Sequence, residues 1–214
     1  KSNLKRIVLE CGGKNPCIVL DDAECLDVVA RHATQAVFWN MGENCSSNSR
    51  LIVHEKIKDR LVEQIMVKLR DWPLGDPLDP ANRLGAIVSK EQFDKIMGYI
   101  TKGKAEGAKV ISGGSAHSRG NGYFIEPTIF DGVTPEMTIA KEEIFGPVLS
   151  IITVANAEEA VRVANDSSYG LTASIFTANG GRAHRMARDI PAGTVTINCY
   201  GQGDASTAFG GFKL

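Results

Sequence analysis

Residues 15–37 read NPCIVLDDAECLDVVARHATQAV. Cys17-Ile18-Val19-Leu20 is a short, unbroken apolar run of the strand type. Asp21-Asp22 closes it and offers N-cap oxygens to a helix with Leu26, Val29, Ala33, Ala36 and Val37 on one face. That helical period fails near Asn40-Met41-Gly42, and Arg50 to His54 (RLIVH) reads as the next strand. Strand, helix and strand in this order imply parallel pairing through a helical crossover.

The same alternation extends both ways. Upstream, Ile7-Val8-Leu9 reads as another short buried strand, separated by the Gly12-Gly13 turn. Downstream, Ile57, Leu61, Ile65 and Leu69 form an amphipathic helix that ends before Trp72-Pro73. Gly75 to Arg83 is turn-rich, because its prolines deny backbone donors and restrict φ. Ser89 starts a helix with Phe93, Ile96, Met97 and Ile100 inward, Val110-Ile111 opens a strand, and Ser112 to Gly122 reads as a small-residue loop. Strands over Phe124–Phe130, Val148–Val154, Leu171–Thr177 and Thr194–Cys199 follow, with helices over Ala157–Asn165 and around Ala183–Asp189. The expected fold is one α/β domain over 1–214, a mostly parallel sheet with helices on both faces.

Composition bounds the function. Of 214 residues, 43% are apolar and 23% charged, which excludes a disordered chain. A net charge of -1 argues against a nucleic-acid partner, and no run of 18 apolar residues predicts a membrane span. Cys11, Cys17, Cys25, Cys45 and Cys199 make an odd count without a CxxC pair, so neither a zinc site nor a disulfide framework is expected. A reducing, cytoplasmic setting fits that usage, and the missing initiator Met fits a piece of a longer protein.

Most familiar sites are ruled out by context. Gly98 to Lys104 matches GxxxxGK, but Ala105 replaces the magnesium-binding hydroxyl and the match lies within a helical pattern. No GxGxxG and no GxSxG occur. His32, His54, His117 and His184 are scattered without metal-ligand spacing.

Two residues stand out. Cys45 lies in Gly42-Glu43-Asn44-Cys45-Ser46-Ser47, where helical periodicity has stopped. A thiol at such a junction reads either as a structural cysteine or as a nucleophile whose pKa nearby backbone N–H groups would lower. Cys17, Cys25 and Cys199 read as inert core residues. Glu10 closes the Ile7–Leu9 run before Cys11-Gly12-Gly13-Lys14. A carboxylate at the carboxyl end of a strand, partly buried, suits a general base; a solvated strand end or an ion pair with Lys14 is the alternative.

Together these stretches resemble a known family. Leu9-Glu10-Cys11-Gly12-Gly13-Lys14-Asn15-Pro16 is similar to the glutamate signature of the aldehyde dehydrogenase superfamily, and Gly42-Glu43-Asn44-Cys45 to its nucleophile signature, 35 residues on. Glu142 to Val148 (EEIFGPV), Asn165 to Leu171 (NDSSYGL) and Phe209 to Lys213 (FGGFK) resemble three further motifs in the family's order. The resemblance covers essentially the whole chain. It implies the catalytic domain alone, with the dinucleotide-binding domain and the terminal oligomerisation strand outside it. It also implies an NAD- or NADP-dependent oxidation of an aldehyde to an acid, with Cys45 as nucleophile and Glu10 as base. Glu143 would accept hydrogen bonds from the nicotinamide ribose, Phe145 would pack near the ring, and Gln92 and Lys95 would reach the adenosine ribose. A solvated helix face is the other reading of Gln92 and Lys95. Full-length relatives of this kind are homodimers or homotetramers.

Glu43 stands where the family often has Gln, Cys11 where Leu is commonest, and Ser46-Ser47 where Ala, Gly or Cys are frequent. The branch that looks closest oxidises aminoaldehydes, including the γ-glutamyl-aminobutyraldehyde type, and carries a Gly-Asp step like Gly203-Asp204. Asp204 would then attract a substrate ammonium; its other reading is turn geometry. The competing classes are a cofactor-independent cysteine thioesterase working through His54, and a fragment acting only as a binding module. Acyl-phosphate reductases on a related fold lack the glutamate that Glu10 supplies.

Overall fold

The computed structural model describes residues 3–118, 122–201, 203, 204 and 206–213. Residues 119–121 of the Ser112–Gly122 loop, and Lys1 and Ser2, lie outside them. The elements are β1 (Pro16–Val19), α1 (Leu26–Phe38), β2 (Arg50–His54), α2 (Glu55–Leu69), α3 (Lys90–Ala105), β3 (Lys109–Ser112), β4 (Ala116–His117), β5 (Phe124–Ile125), β6 (Thr128–Asp131), α4 (Thr138–Lys141), β7 (Val148–Val154), α5 (Ala157–Asn165), β8 (Thr172–Phe176), α6 (Gly180–Asp189) and β9 (Thr194–Ile197).

Seven strands form one sheet in the order β3-β6-β7-β2-β1-β8-β9. Every pairing in it is parallel except β3 with β6 at one edge. The period of two explains why both faces are covered. Ile18, Ile52 and Ile175 point to one face and pack with Ile96 and Ile100 of α3, Ala160 and Val163 of α5 and Met186 of α6. Their neighbours Val19, Leu51 and Val53 point to the other and meet Val29, Ala33 and Val37 of α1 and Ile57, Leu61 and Ile65 of α2. Most positions of the helix stripes read from periodicity are buried, and Leu26, Leu69, Phe93 and Met97 are partly so. The doubly covered parallel sheet is the expected architecture.

Several local expectations need correction. Ile7, Val8 and Leu9 enter no ladder among the described residues and are 74%, 87% and 71% exposed. An apolar, β-prone run supplies propensity but not a partner, and a strand without a partner is not stable. Asp21 and Asp22 do not cap α1. Its N-cap is Cys25, left-handed at φ 51 and exposed rather than a core residue. The aspartates turn instead to the carboxyl edge of the sheet, where Thr177 Oγ1 donates to Asp22 and Arg182 lies near both. Within the small-residue loop, β4 pairs antiparallel with β5, and the expected strand Phe124–Phe130 is two, β5 and β6, in separate sheets. The one-turn α4 was not read from the sequence, being too short to show a period.

Candidate functional site

The chemistry gathers at the amino-terminal edge of the sheet, where the loops entering β1, β2 and β7 meet. This corrects the expectation that Glu10 sits at the carboxyl end of a strand. The carboxyl ends carry Asp21, His54 and Arg182, with His54 Nε2 3.9 Å from Asp21 Oδ2. Cys45 and His54 are thus at opposite ends of the five-residue β2.

The loop that carries Cys45 is built by close backbone approach and by buried amides. After α1, Asn40 and Met41 adopt left-handed φ of 52 and 56, which ends the helix sharply. Gly42, at φ +70, lies so close to the β7 approach that a Cβ there would meet Gly146 O at 2.2 Å. Only glycine fits both conditions. Ser47 N donates to Asn44 O at 3.1 Å, so Cys45 and Ser46 occupy the centre of a tight turn. Asn15, 2% exposed, staples that turn to the sheet. Its Nδ2 donates to Cys45 O (2.8 Å) and Ser47 O (2.9 Å), and its Oδ1 accepts from Thr172 N (3.0 Å). Arg50, equally buried, donates from Nε to Lys14 O and from its terminal nitrogens to Val163 O and Ala164 O. It thereby satisfies carbonyls at the α5 C-terminus that no helical partner reaches.

Glu10 and Glu143 reach this turn from two sides. Glu10 is exposed, not partly buried as expected. Its Oε1 accepts from Gly12 N at 2.8 Å, and its carboxylate lies near enough to the Cys45 thiol to push it up. Glu143 Oε1 accepts from Gly13 N at 2.9 Å, and its Oε2 sits where a Cβ on Gly12, at φ +92, would lie 2.5 Å away. The glycine pair therefore lets two carboxylates close on one short backbone segment. The ion pair of Glu10 with Lys14 does not form: Lys14 is 1% exposed and its Nζ has no hydrogen-bond partner.

The electrostatics reverse one expectation. Burial pushes the Cys45 thiol up, and the Glu10 carboxylate pushes it further, against the smaller pull of the Ser46 and Cys45 N–H groups. The sequence reading had the N–H groups lowering it; desolvation and a carboxylate outweigh them. Half-burial likewise raises Glu143, opposed by Gly13 N–H and by Lys95. Burial, with Arg50 beside it, lowers Lys14 to about 7. Cys17, buried in β1, is pushed up to about 12 and is inert.

The other candidates fall beside Glu143. Phe145 is left-handed at φ 58. Gln92, on α3, donates from Nε2 to Ile144 O (3.1 Å) and Phe145 O (2.7 Å), holding the loop that presents Glu143. Lys95 is exposed one turn on. A carboxylate seated over a glycine, a neighbouring aromatic and a lysine make a surface that fits the ribose hydroxyls and ring of a nicotinamide cofactor. Asn15, Arg50 and Tyr200 were missed. A lone arginine opening the apolar run RLIVH was the one available signal, since a charge in a buried strand needs several acceptors.

A cavity of about 440 Å³ opens beside the Cys45 turn, lined by Ser46, Thr172, Thr196, Tyr200, Asp204 and Phe209 among others. Asp204 Oδ1 accepts from Ser206 N at 2.7 Å and from Ser206 Oγ, which holds its carboxyl below the usual range. The aspartate thus makes its turn while lining the cavity.

A model described as the aldehyde dehydrogenase family matches residues 1–214. Aminoacetaldehyde dehydrogenase from Pseudomonas aeruginosa is 52% identical over 213 residues, covering 100% of this chain and 42% of that protein. The crystal structure of a gamma-glutamyl-gamma-aminobutyraldehyde dehydrogenase from Burkholderia cenocepacia superposes with a TM-score of 0.94 at 47% identity, over 99% of this chain and 43% of that one. An indole-3-acetaldehyde dehydrogenase of P. syringae, solved as a mutant in complex with NAD+, gives 0.95 at 47% identity, over 99% and 43%. The chain spans less than half the length of these relatives.

Proposed function

The chain belongs to the aldehyde dehydrogenase family, and on that premise we propose that it is the catalytic domain of an NAD(P)-dependent enzyme oxidising aldehydes to carboxylic acids. The observation that carries the reading is the convergence of Cys45, Glu10 and Glu143 at the amino-terminal edge of the sheet, beside the cavity that Ser46 lines. A thiol pushed up by burial is a poor nucleophile alone. Glu10 lies where it can take the thiol proton as sulfur bonds to the aldehyde carbon. Negative charge then develops on the substrate oxygen, and the Cys45 N–H is the donor at hand, since the Ser46 N–H is engaged by Asn44 Oδ1. When bound, the nicotinamide cofactor accepts the hydride whose loss turns the Cys45 thiohemiacetal into a thioester. Glu143 and Phe145 hold the cofactor's ribose and ring, with Gln92 bracing their loop and Lys95 beside it. Glu10, freed of the thiol proton, draws a proton from water as its oxygen attacks the thioester carbon; the C–S bond breaks and the acid leaves.

Glu10→Gln in the full-length protein keeps the shape but not the base. The expected result is a slowed first-turnover burst of reduced cofactor together with steady-state kcat lowered about a hundredfold. Rapid-mixing kinetics reads both phases, and a mutant with full steady-state kcat would refute the assignment.

The substrate reading is an aminoaldehyde, supported by a carboxylate, Asp204, facing the cavity that Ser46 shares. Its two hydrogen bonds from Ser206 keep it ionised, so it offers a charge to a substrate ammonium. Asp204→Asn should lower kcat/KM for an aminoaldehyde about tenfold and leave an alkyl aldehyde of equal length unchanged. An unchanged ratio between the two substrates would end this reading. The five free cysteines support a reducing, cytoplasmic setting, and the family resemblance supports a homodimer or homotetramer for the full-length protein.

A further inference from the structure

We propose that Tyr200 is a positioning residue for the nucleophile: its hydroxyl, through Asn44, orients the turn that carries Cys45 and ties that turn to the loop lining the cavity. The proposal rests on the reading of Cys45 as nucleophile.

Tyr200 lies just beyond β9, where Asn198 adopts a left-handed φ of 56 and bends the chain. Asn198 is itself fixed, its Nδ2 donating to Thr177 O and its Oδ1 accepting from Thr177 N, both at 3.0 Å. From this anchored bend the Tyr200 ring reaches the nucleophile turn. Asn44 Nδ2 donates to Tyr200 Oη at 3.0 Å. Asn44 Oδ1 in turn accepts from Ser46 N (3.2 Å) and Ser46 Oγ (3.1 Å), and Ser46 Oγ lies 3.5 Å from Tyr200 Oη. The ring of contacts closes on the residues either side of Cys45.

That turn has few other holds. Asn15 grips the carbonyl of Cys45 from the sheet side, Thr172 Oγ1 donates to Ser46 O at 3.3 Å, and Ser47 N closes the turn on Asn44 O. The Ser46 N–H is also one of the groups that favour the Cys45 thiolate. Its direction is set by the Asn44 amide, and the amide's by Tyr200. Burial pushes the Tyr200 phenol up, so it stays neutral and serves as a hydrogen-bonding post rather than a base. Among the described residues, Glu10 faces the thiol from the glycine turn and Tyr200 from the cavity side, with Glu143 behind Glu10 across Gly12.

The test uses the full-length protein, with Tyr200→Phe and Asn44→Ala separately and together. Iodoacetamide labelling across pH 5 to 9, with peptide mapping, reads the reactivity of Cys45 directly. Tyr200→Phe is expected to move the Cys45 profile to higher pH and slow its labelling at pH 7.5 about fivefold, the effect of one lost hydrogen bond. Asn44→Ala should do the same, and the double variant should be no slower than either single one. Profiles that superimpose on the parent, or losses that multiply in the double variant, would overturn the clamp. If instead Cys45→Ala remained active, the reading beneath the proposal would fall, and labelling would not be needed to see it.

Discussion

Cys45→Ala in the full-length protein is expected to abolish aldehyde oxidation, lowering kcat/KM by four orders of magnitude or more, as about that much is lost when a covalent nucleophile is removed. The other four cysteines are placed differently: Cys199 lies beyond β9, half-buried rather than in the core as expected. Cys17 lies in the core with its thiol pushed up to about 12, and Cys25 caps α1 on the surface. Cys11 is next to Glu10 but exposed, outside the turn that Asn15 and Tyr200 hold. The change removes one sulfur from a half-buried position, so melting should stay close to the parent while cofactor reduction, followed by absorbance, disappears. An alanine variant keeping more than about a tenth of the parental kcat/KM would mean that chemistry is done elsewhere.

Lys14→Met is expected to stabilise the protein near neutral pH and to remove a pH dependence. The Lys14 amine is buried without a hydrogen-bond partner, and burial, then Arg50, lowers it from 10.5 to about 7, against the attraction of Glu143 and Glu142. In the unfolded chain the same amine stays charged to near its ordinary value. Below about pH 7 both states carry the proton, and the folded state bears the full cost of a buried charge, on the order of 4 kcal/mol. Between about 7 and 10 the unfolded state holds more protons, so stability from this group rises with pH. A methionine of similar length fills the space without a charge. Urea titrations of both proteins at pH 6, 8 and 10 check this: the variant should gain most at pH 6 and least at pH 10. Parallel profiles would show that the amine finds a partner in solution.

Much of the site was legible as chemistry but not as geometry. Cys45 and Glu10 stood out because each breaks a local pattern, one where helical period stops and one at the end of an apolar run. Their contact spans 35 residues of chain, and periodicity carries no information over that separation. The sign of the thiol shift was missed for the same reason. Backbone N–H donors are a local feature of a turn, whereas burial and the facing Glu10 are properties of the assembled edge. Gln92 shows the converse. As one position on a helix face it was equally ligand or solvent, and the structure engages its amide with the carbonyls of the Glu143 loop.

By itself the sequence determined the order and kind of the longer helices and of the central parallel strands. Alternating apolar faces in Cys17–Leu20 and Arg50–His54, and stripes such as Ile57, Leu61 and Ile65, depend only on the periods of strand and helix. It determined too that Gly12 and Gly42 would be turns, since glycine tolerates the positive φ they need. Tertiary structure alone decided which edge of the sheet carries the chemistry, and that Ile7–Leu9, for all its strand character, pairs with nothing among the described residues. It also decided that Asn15 holds the Cys45 turn, that Arg50 ties Lys14 to the carbonyls of α5, and that Asn44 meets Tyr200. These are contacts between distant parts of the chain, and a hydrogen bond exists only where donor and acceptor are brought within about 3 Å.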